Sequence, residues 1–148
     1  MDKEAAALAD AIEAVLPSWV ERSVVRVMTA WNGEVDDDVR AAAAEAGRRA
    51  TAEVVPELRA LLEADIDDQR TTPLSLLRAA VRYPTAVLEN AGVPPVQRDE
   101  QQERLFPDDV YDLAPATFAD VDPALADAGM AWGASKAFQH LQRHKVKR

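Results

Sequence analysis

The sequence predicts an all-α fold: a bundle of about five to seven helices with an irregular proline-rich arm packed on it. Three observations lead to this prediction. Alanine, the residue with the highest helix propensity, is the commonest residue. Only five glycines interrupt the chain. No stretch sustains the apolar and polar alternation of a strand. A chain of 148 residues that is 48% apolar fits one globular domain.

The first helical stretch begins behind Asp2, which has a side chain suited to a helix N-cap. Leu8 and Ile12 belong to an apolar stripe with helical spacing. Pro17 interrupts the stripe and predicts the start of a second helix, because proline needs no N–H partner in a first turn. Gly33, after Asn32, predicts the stop of that helix.

The acidic run 34–38 predicts the N-terminus of a third helix, since carboxylates favour the positive end of the helix dipole. Ala43, Ala46 and Ala50 give this helix a face of small side chains, which another helix can approach closely. The same face is a candidate homodimer interface. Pro56 either kinks the helix or begins the next one.

Thr72 and Pro73 form a strong helix start, a capping hydroxyl followed by proline. Pro84 predicts a split into two short helices, and Gly92 predicts the end of the second. Five prolines between residues 94 and 123 exclude long helices there, although a short helix is predicted near residues 98–105.

A last helix is predicted from about Met130 to Lys145. Its apolar residues recur at helical spacing and predict the face that packs on the body: Met130, Ala134, Ala137, Phe138 and Leu141. Gly133 lowers helix propensity. Its presence predicts a close backbone contact with another helix.

These stretches predict a single domain over residues 1–148. It divides into a helical body (1–92), a proline-rich arm (93–128), a C-terminal helix (129–145) and a basic tail (146–148). The arm contains several large apolar residues, Phe106, Val110, Tyr111, Leu113, Phe118 and Val121. These side chains predict that the arm folds back onto the body.

Charge is unevenly distributed along the chain. Residues 1–127 carry all 26 acidic residues and 12 basic ones, a net charge of −14, whereas residues 128–148 carry five basic residues and no acid. The acidic body disfavours nucleic acid as the main partner. The basic end leaves open electrostatic docking on nucleic acid or anionic lipid.

The sequence also predicts a cytoplasmic protein that does not insert in a membrane. The N-terminus lacks the pattern of a signal peptide, and no uncharged run is longer than that of residues 128–135, which is far shorter than a membrane helix. The absence of cysteine excludes disulfides and thiolate chemistry, and it is compatible with a reducing compartment.

No motif predicts catalysis, a metal or a cofactor. His140 and His144 have the four-residue spacing of two metal ligands, but no third ligand lies nearby in the sequence. The acidic stretch 65–68 lacks the ligand pattern of a calcium loop. There is no nucleophile elbow and no phosphate-binding glycine loop. We therefore expect no catalytic residues, and the absence of these motifs argues against an enzyme.

One cluster is a candidate site for an anionic ligand. Arg78 and Arg82 lie four residues apart beside Tyr83, and two guanidinium groups can bind a carboxylate or phosphate. The favoured alternative is that these arginines pair with acidic residues of the arm. The candidate ligand-binding residues are Arg78, Arg82, Tyr83, Arg98, Asp108 and Asp109.

Three short stretches carry a resemblance: Arg82-Tyr83-Pro84-Thr85, Gly92-Val93-Pro94-Pro95-Val96 and Phe106-Pro107-Asp108-Asp109. They resemble an uncharacterised bacterial family of helical proteins, over about the C-terminal half of the chain. The resemblance implies no activity, cofactor or site residue.

Three functions follow as hypotheses. The first is a non-catalytic protein-interaction or regulatory module that binds a protein partner or itself. The second is a binder of a small anionic molecule, or an enzyme, with a site between body and arm. The third is electrostatic binding of the basic tail to nucleic acid or anionic lipid.

Overall fold

The computed structural model describes residues 2–68, 71–97, 106 and 109–146. Six α-helices lie in these ranges: α1 (Lys3–Asn32), α2 (Asp37–Glu63), α3 (Pro73–Ala79), α4 (Arg82–Asn90), α5 (Phe118–Val121) and α6 (Leu125–Val146). A 3₁₀ turn, Ile66–Asp68, follows α2. The described ranges contain no strand, and the predicted all-α fold is confirmed.

The two long helices α1 and α2 pack antiparallel and form the centre of the molecule. Arg59 of α2 contacts Asp10 of α1 at 2.7 Å, while Gly47 lies against Pro17. Residue numbers therefore increase along α1 in the direction in which they decrease along α2. The buried stripe of α1 includes Leu8 and Ile12, as the spacing predicted.

Pro17 does not begin a new helix, so that prediction is wrong. It lies inside the continuous helix α1, and Pro56 likewise lies inside α2. A proline in a helix interior loses one backbone hydrogen bond. Burial of Leu16 and Val20 on both sides of Pro17 offsets that loss and keeps the helix continuous.

The predicted helix ends at Asp2 and Gly33 are confirmed, and α2 begins within the predicted acidic run. Asp2 caps α1 by accepting hydrogen bonds from the amides of Glu4 and Ala5, and Gly33 ends it with a φ of 80°. Asp36 accepts from the amide of Val39 at 2.9 Å and caps α2. Each cap satisfies amides or carbonyls that a helix end would otherwise leave without partners.

The small face of α2 packs within the chain, on α1. Ala43, Ala46 and Ala50 are buried. The closest approach is at Gly47, where an added Cβ would lie 2.8 Å from the carbonyl oxygen of Pro17. This face is therefore not available to a second copy, and the predicted homodimer interface on it is wrong.

The short helices α3 and α4 close one side of the α1–α2 pair. Thr72 caps α3, as predicted. The break between α3 and α4 falls at Ala80 and Val81, ahead of Pro84, which lies in the first turn of α4. Gly92, with a φ of 79°, follows the end of α4.

Helix α6 begins at Leu125, earlier than predicted, and its predicted core face points outward. Met130, Phe138 and Leu141 are 74%, 61% and 66% exposed. The buried side of the helix instead contains Leu125 and Lys136. The prediction that the apolar stripe packs on the body is wrong, because polar anchors on the other side of the helix set its orientation.

Parts of the predicted arm are buried. Tyr111, Leu113 and Val121 lie in the core, and the Tyr111 hydroxyl donates to the carbonyl of Val93 at 2.6 Å. The predicted helix near residues 98–105 lies outside the described residues. The arm as one unit, and the division of the chain around it, stay predictions.

Within the described ranges, none of the helices combines the length and the apolar character that crossing a bilayer requires.

Candidate functional site

Arg78, the first residue of the predicted ligand cluster, is anchored to backbone carbonyls. It lies near the end of α3, where its Nε donates to the carbonyl of Pro115 at 3.0 Å and its Nη2 to that of Ala116 at 3.3 Å. Its guanidinium group also lies 5.0 Å from the centre of the Phe106 ring. Arg78 thereby fastens the segment before α5 to α3.

Arg82 and Tyr83 form a separate contact with α2. Arg82 Nη2 donates to the Tyr83 hydroxyl at 3.2 Å, and that hydroxyl donates to Glu53. Burial raises the pKa of Tyr83, and the hydrogen bond to Glu53 raises it further. The phenol therefore stays neutral at ordinary pH and holds the start of α4 against α2.

Of the acidic residues expected to pair with these arginines, Asp109 binds backbone amides instead. Asp109 is buried and accepts hydrogen bonds from the amides of Leu113 at 2.8 Å and Ala114 at 2.7 Å. Asp108 and Arg98 lie outside the described residues. Within the described ranges neither Arg78 nor Arg82 forms an ion pair with a carboxylate, so the predicted pairing with Asp109 is wrong.

Arg78 and Arg82 nevertheless share one wall of a cleft. Its volume is about 350 Å³, and Thr85, Phe106 and Asp109 also line it. Two guanidinium groups that pair with no carboxylate of the described residues, next to an aromatic ring, suit a small carboxylate with an apolar part. The buried Asp109 carboxylate would repel an anion in this cleft, but its charge is already stabilised by hydrogen bonds from two backbone amides.

A larger cleft, of about 470 Å³, lies between α1 and the segment before α5. Trp19, Ser23, Arg22 and Arg26 line its α1 side. Arg22 donates to the carbonyl of Val121 and pairs with Asp122 at 3.3 Å. No sequence pattern indicates this cleft, because its two walls are about 90 residues apart in the chain.

A buried ion pair joins α6 to both long helices. Lys136 is only 2% exposed, and its Nζ lies 2.9 Å from Asp2 Oδ2 and donates to the carbonyl of Glu63 at 3.1 Å. Burial alone would raise the pKa of Asp2, but the hydrogen bonds from Lys136 and from the amide of Ala5 lower it overall. In the sequence Lys136 is one of the five basic residues of the C-terminal end, and no pattern there predicts this buried role.

Other basic residues of α6 also bind the body. Arg143 pairs with Asp65 and Asp67, and His140 Nδ1 lies 3.2 Å from Asp67. The basic end thus loses Lys136 and Arg143 as contacts for nucleic acid or lipid. Among the described side chains, no group of three His, Asp or Glu residues is placed to hold a metal ion.

The outward side of α6 presents three large apolar side chains to solvent. Its apolar residues are all exposed and define what we call the α6 outer face: Met130, Ala134, Ala137, Phe138 and Leu141. The opposite side of the helix is fixed: Trp132 Nε1 donates to the carbonyl of Leu62 at 2.9 Å, and its ring packs edge-on against Phe118.

Comparison of the chain with protein-family models, with curated proteins and with solved structures finds no significant match. The resemblance of its C-terminal half to a bacterial helical family stays a prediction, and the candidate sites rest on their geometry.

Proposed function

We propose that the chain is a cytoplasmic, non-catalytic protein-interaction module and that it binds its partner through the α6 outer face. The observation that carries the proposal is the exposure of Met130, Phe138 and Leu141 on one side of one helix. An exposed apolar surface of this kind costs free energy in water and typically marks an interaction site. The absence of cysteine is compatible with the compartment.

The way α6 is held supports this function. Trp132, Lys136 and Arg143 bind the inner side of the helix to the body at three points along its length. The outer face is therefore presented by a helix that is already formed and oriented. Such preorganisation reduces the entropy that binding must overcome. A partner would receive this face as an amphipathic helix in a groove or in a helix pair.

Two measurements test the proposal together: sedimentation of the purified chain and affinity capture of bound proteins. We expect self-association or a captured protein, and we expect Phe138→Glu/Leu141→Glu to abolish it. The matched control is Ala52→Glu/Ala60→Glu, which adds the same charge at exposed positions of α2. The proposed function would be wrong if the chain were a monomer and if the α6 substitution released none of the captured proteins.

The cleft beside Arg78 and Arg82 supports a second candidate function, binding of a small anionic molecule. Arg82 is the residue to test, because Arg78 also anchors the backbone of Pro115. We expect benzoate, which has a carboxylate and an apolar ring, to raise the melting temperature of the wild-type chain. The shift should vanish in Arg82→Ala and persist in Arg48→Ala, whose side chain pairs with Glu45 on the surface of α2. An equal shift in both variants would exclude this cleft.

A further inference from the structure

We propose that the cleft between α1 and the segment before α5 binds a free amino acid with an apolar side chain. This cleft is separate from the α6 outer face and from the cleft beside Arg78 and Arg82, so binding there would be a further function of the chain. Its volume of about 470 Å³ lies within the range of small-molecule sites. Hydrogen-bond donors on one wall and carboxylates on the other indicate the class of ligand.

The α1 wall of the cleft has two donors on nearly buried side chains. Trp19 and Ser23 are 6% and 5% exposed, and both line the cleft. Among the described residues, neither the indole N–H nor the hydroxyl has a hydrogen-bond partner, and neither is fully covered by protein. By contrast, the hydroxyl of Thr51 in α2 donates to the carbonyl of Gly47 at 2.8 Å. Both donors of α1 are therefore open to the cleft, where an oxygen of a ligand would accept their hydrogen bonds.

Arg26 extends the same wall. It follows Ser23 by three residues, so at about 3.6 residues per turn the two side chains lie on the same side of α1. Within the described ranges its exposed guanidinium group forms no ion pair. Arg22 is instead held by the carbonyl of Val121 at 3.1 Å and by Asp122 at 3.3 Å. The indole, the hydroxyl and the Arg26 guanidinium group together supply the donors that a carboxylate accepts.

The opposite wall of the cleft carries negative charge. Asp112 and Asp120 both line it. Oδ2 of Asp120 accepts hydrogen bonds from the amides of Ala116 at 2.9 Å and Thr117 at 3.0 Å, which hold this side chain in place. Two carboxylates repel a phosphate dianion but attract an ammonium group. The cleft therefore matches a zwitterion that directs its carboxylate toward α1 and its ammonium group toward Asp120.

Apolar side chains complete the lining and match an apolar part of the ligand. They include Trp19, Leu113 and Pro115. The backbone of this segment is fixed, because Asp109 accepts from the amide of Leu113 and Arg78 donates to the carbonyl of Pro115. A cleft with fixed walls loses little conformational entropy when a ligand binds.

Three related ligands test the zwitterion by isothermal titration calorimetry of the intact chain. L-Leucine carries both charges, isocaproate only the carboxylate, and isoamylamine only the ammonium group. We expect L-leucine to bind about tenfold more tightly than either analogue, since each analogue lacks one charged contact. If isocaproate binds as tightly as L-leucine, the site recognises a simple anion and the inference is wrong. Absence of binding by both L-leucine and L-phenylalanine would also overturn it.

Substitutions on α1 locate the ligand. Ser23→Ala removes only the hydroxyl and should raise the Kd of L-leucine by roughly three- to tenfold, the effect of losing one hydrogen bond. Arg26→Ala removes a charged donor and should raise the Kd by about tenfold or more. The matched control is Arg40→Ala at an exposed position of α2, which should leave the Kd unchanged. If binding is lost in Arg82→Ala and retained in both α1 variants, the ligand occupies the other cleft and the inference is wrong.

Asp120→Asn tests the direction of the ligand. Asparagine keeps an oxygen for the amides of Ala116 and Thr117 but removes the negative charge. We expect this variant to bind L-leucine more weakly and isocaproate at least as tightly as the wild type does, because only the ammonium group loses its contact. If both ligands lost affinity by the same factor, Asp120 would maintain the shape of the cleft without binding the ammonium group, and the inference would be wrong.

Discussion

At the scale of single residues, Lys136 shows how one polar side chain directs a helix. Its alkyl stem lies in the core, and its ammonium group reaches Asp2 and the carbonyl of Glu63. A buried charge is tolerated only when it is paired. Rotating α6 to bury Met130 and Phe138 would pull Lys136 away from Asp2 and leave both charges without their partner. The pair therefore helps to fix which side of α6 faces the body.

We predict that Lys136→Ala lowers the free energy of unfolding by about 3–5 kcal/mol, because it leaves the Asp2 carboxylate buried without its partner. Urea denaturation measures this loss. The control is Lys3→Ala at an exposed position, which should change stability by no more than about 0.5 kcal/mol. Similar small effects for both substitutions would show that the buried pair does not stabilise the fold.

We predict a pH dependence from the lowered pKa of Asp2. A carboxylate with a lower pKa in the folded state stabilises the fold above its unfolded pKa, which is near 4. This contribution disappears as the pH falls through the folded value. The stability difference between wild type and Asp2→Asn should thus be constant at neutral pH and shrink below pH of about 4. Asparagine still caps a helix, so the comparison isolates the charge. A difference that stays constant down to pH 2 would contradict the assignment.

At the scale of elements, the contact of α1 with α2 depends on a match between Pro17 and Gly47. An added Cβ at Gly47 would lie 2.8 Å from the carbonyl oxygen of Pro17 and 3.0 Å from its Cα. Both are backbone atoms, which cannot move aside without moving the helix. At Gly133, where a close contact was predicted, an added Cβ would meet nothing within 4 Å, so that prediction is wrong.

The two glycines give a matched pair of substitutions. We predict that Gly47→Ala destabilises the chain by about 1–3 kcal/mol, because overpacking outweighs the gain in helix propensity. Gly133→Ala should stabilise it by up to about 1 kcal/mol, since there only propensity changes. Thermal unfolding of both variants measures the effects. Stabilisation by Gly47→Ala would mean that α1 and α2 do not approach as closely as described.

At the scale of the whole molecule, α6 is attached by polar contacts on one side and presents apolar residues on the other. Its inner side ties together the start of α1, the end of α2 and the turn that holds Asp67. A free apolar face on a fixed helix is the reverse of the usual arrangement, in which the apolar side packs inward. The proposed binding of a protein partner to this face would account for both features.

If the chain associates with itself through this face, its stability should depend on its concentration. Because a dimer interface binds only the folded chain, we predict that the melting temperature rises as the chain concentration rises. Scanning calorimetry over a hundredfold range of concentration measures the shift. Phe138→Glu/Leu141→Glu should remove it and Ala52→Glu/Ala60→Glu should not. If the melting temperature of the wild type did not depend on concentration, the chain would not associate with itself through this face.

The sequence by itself determined the helical fold class, the caps at Asp2, Gly33 and Thr72, the start of α2 within the acidic run 34–38, and the buried stripe of α1. These depend on propensity and spacing within a few residues, which local physics controls. Only the tertiary structure decided that α1 continues through Pro17, that α6 turns its apolar stripe outward, and that Arg78 binds carbonyls. Each of these outcomes depends on groups distant in the chain, such as Gly47, Asp2 and Pro115. Helical periodicity identifies an apolar face, but the partners available elsewhere in the fold decide whether that face is buried.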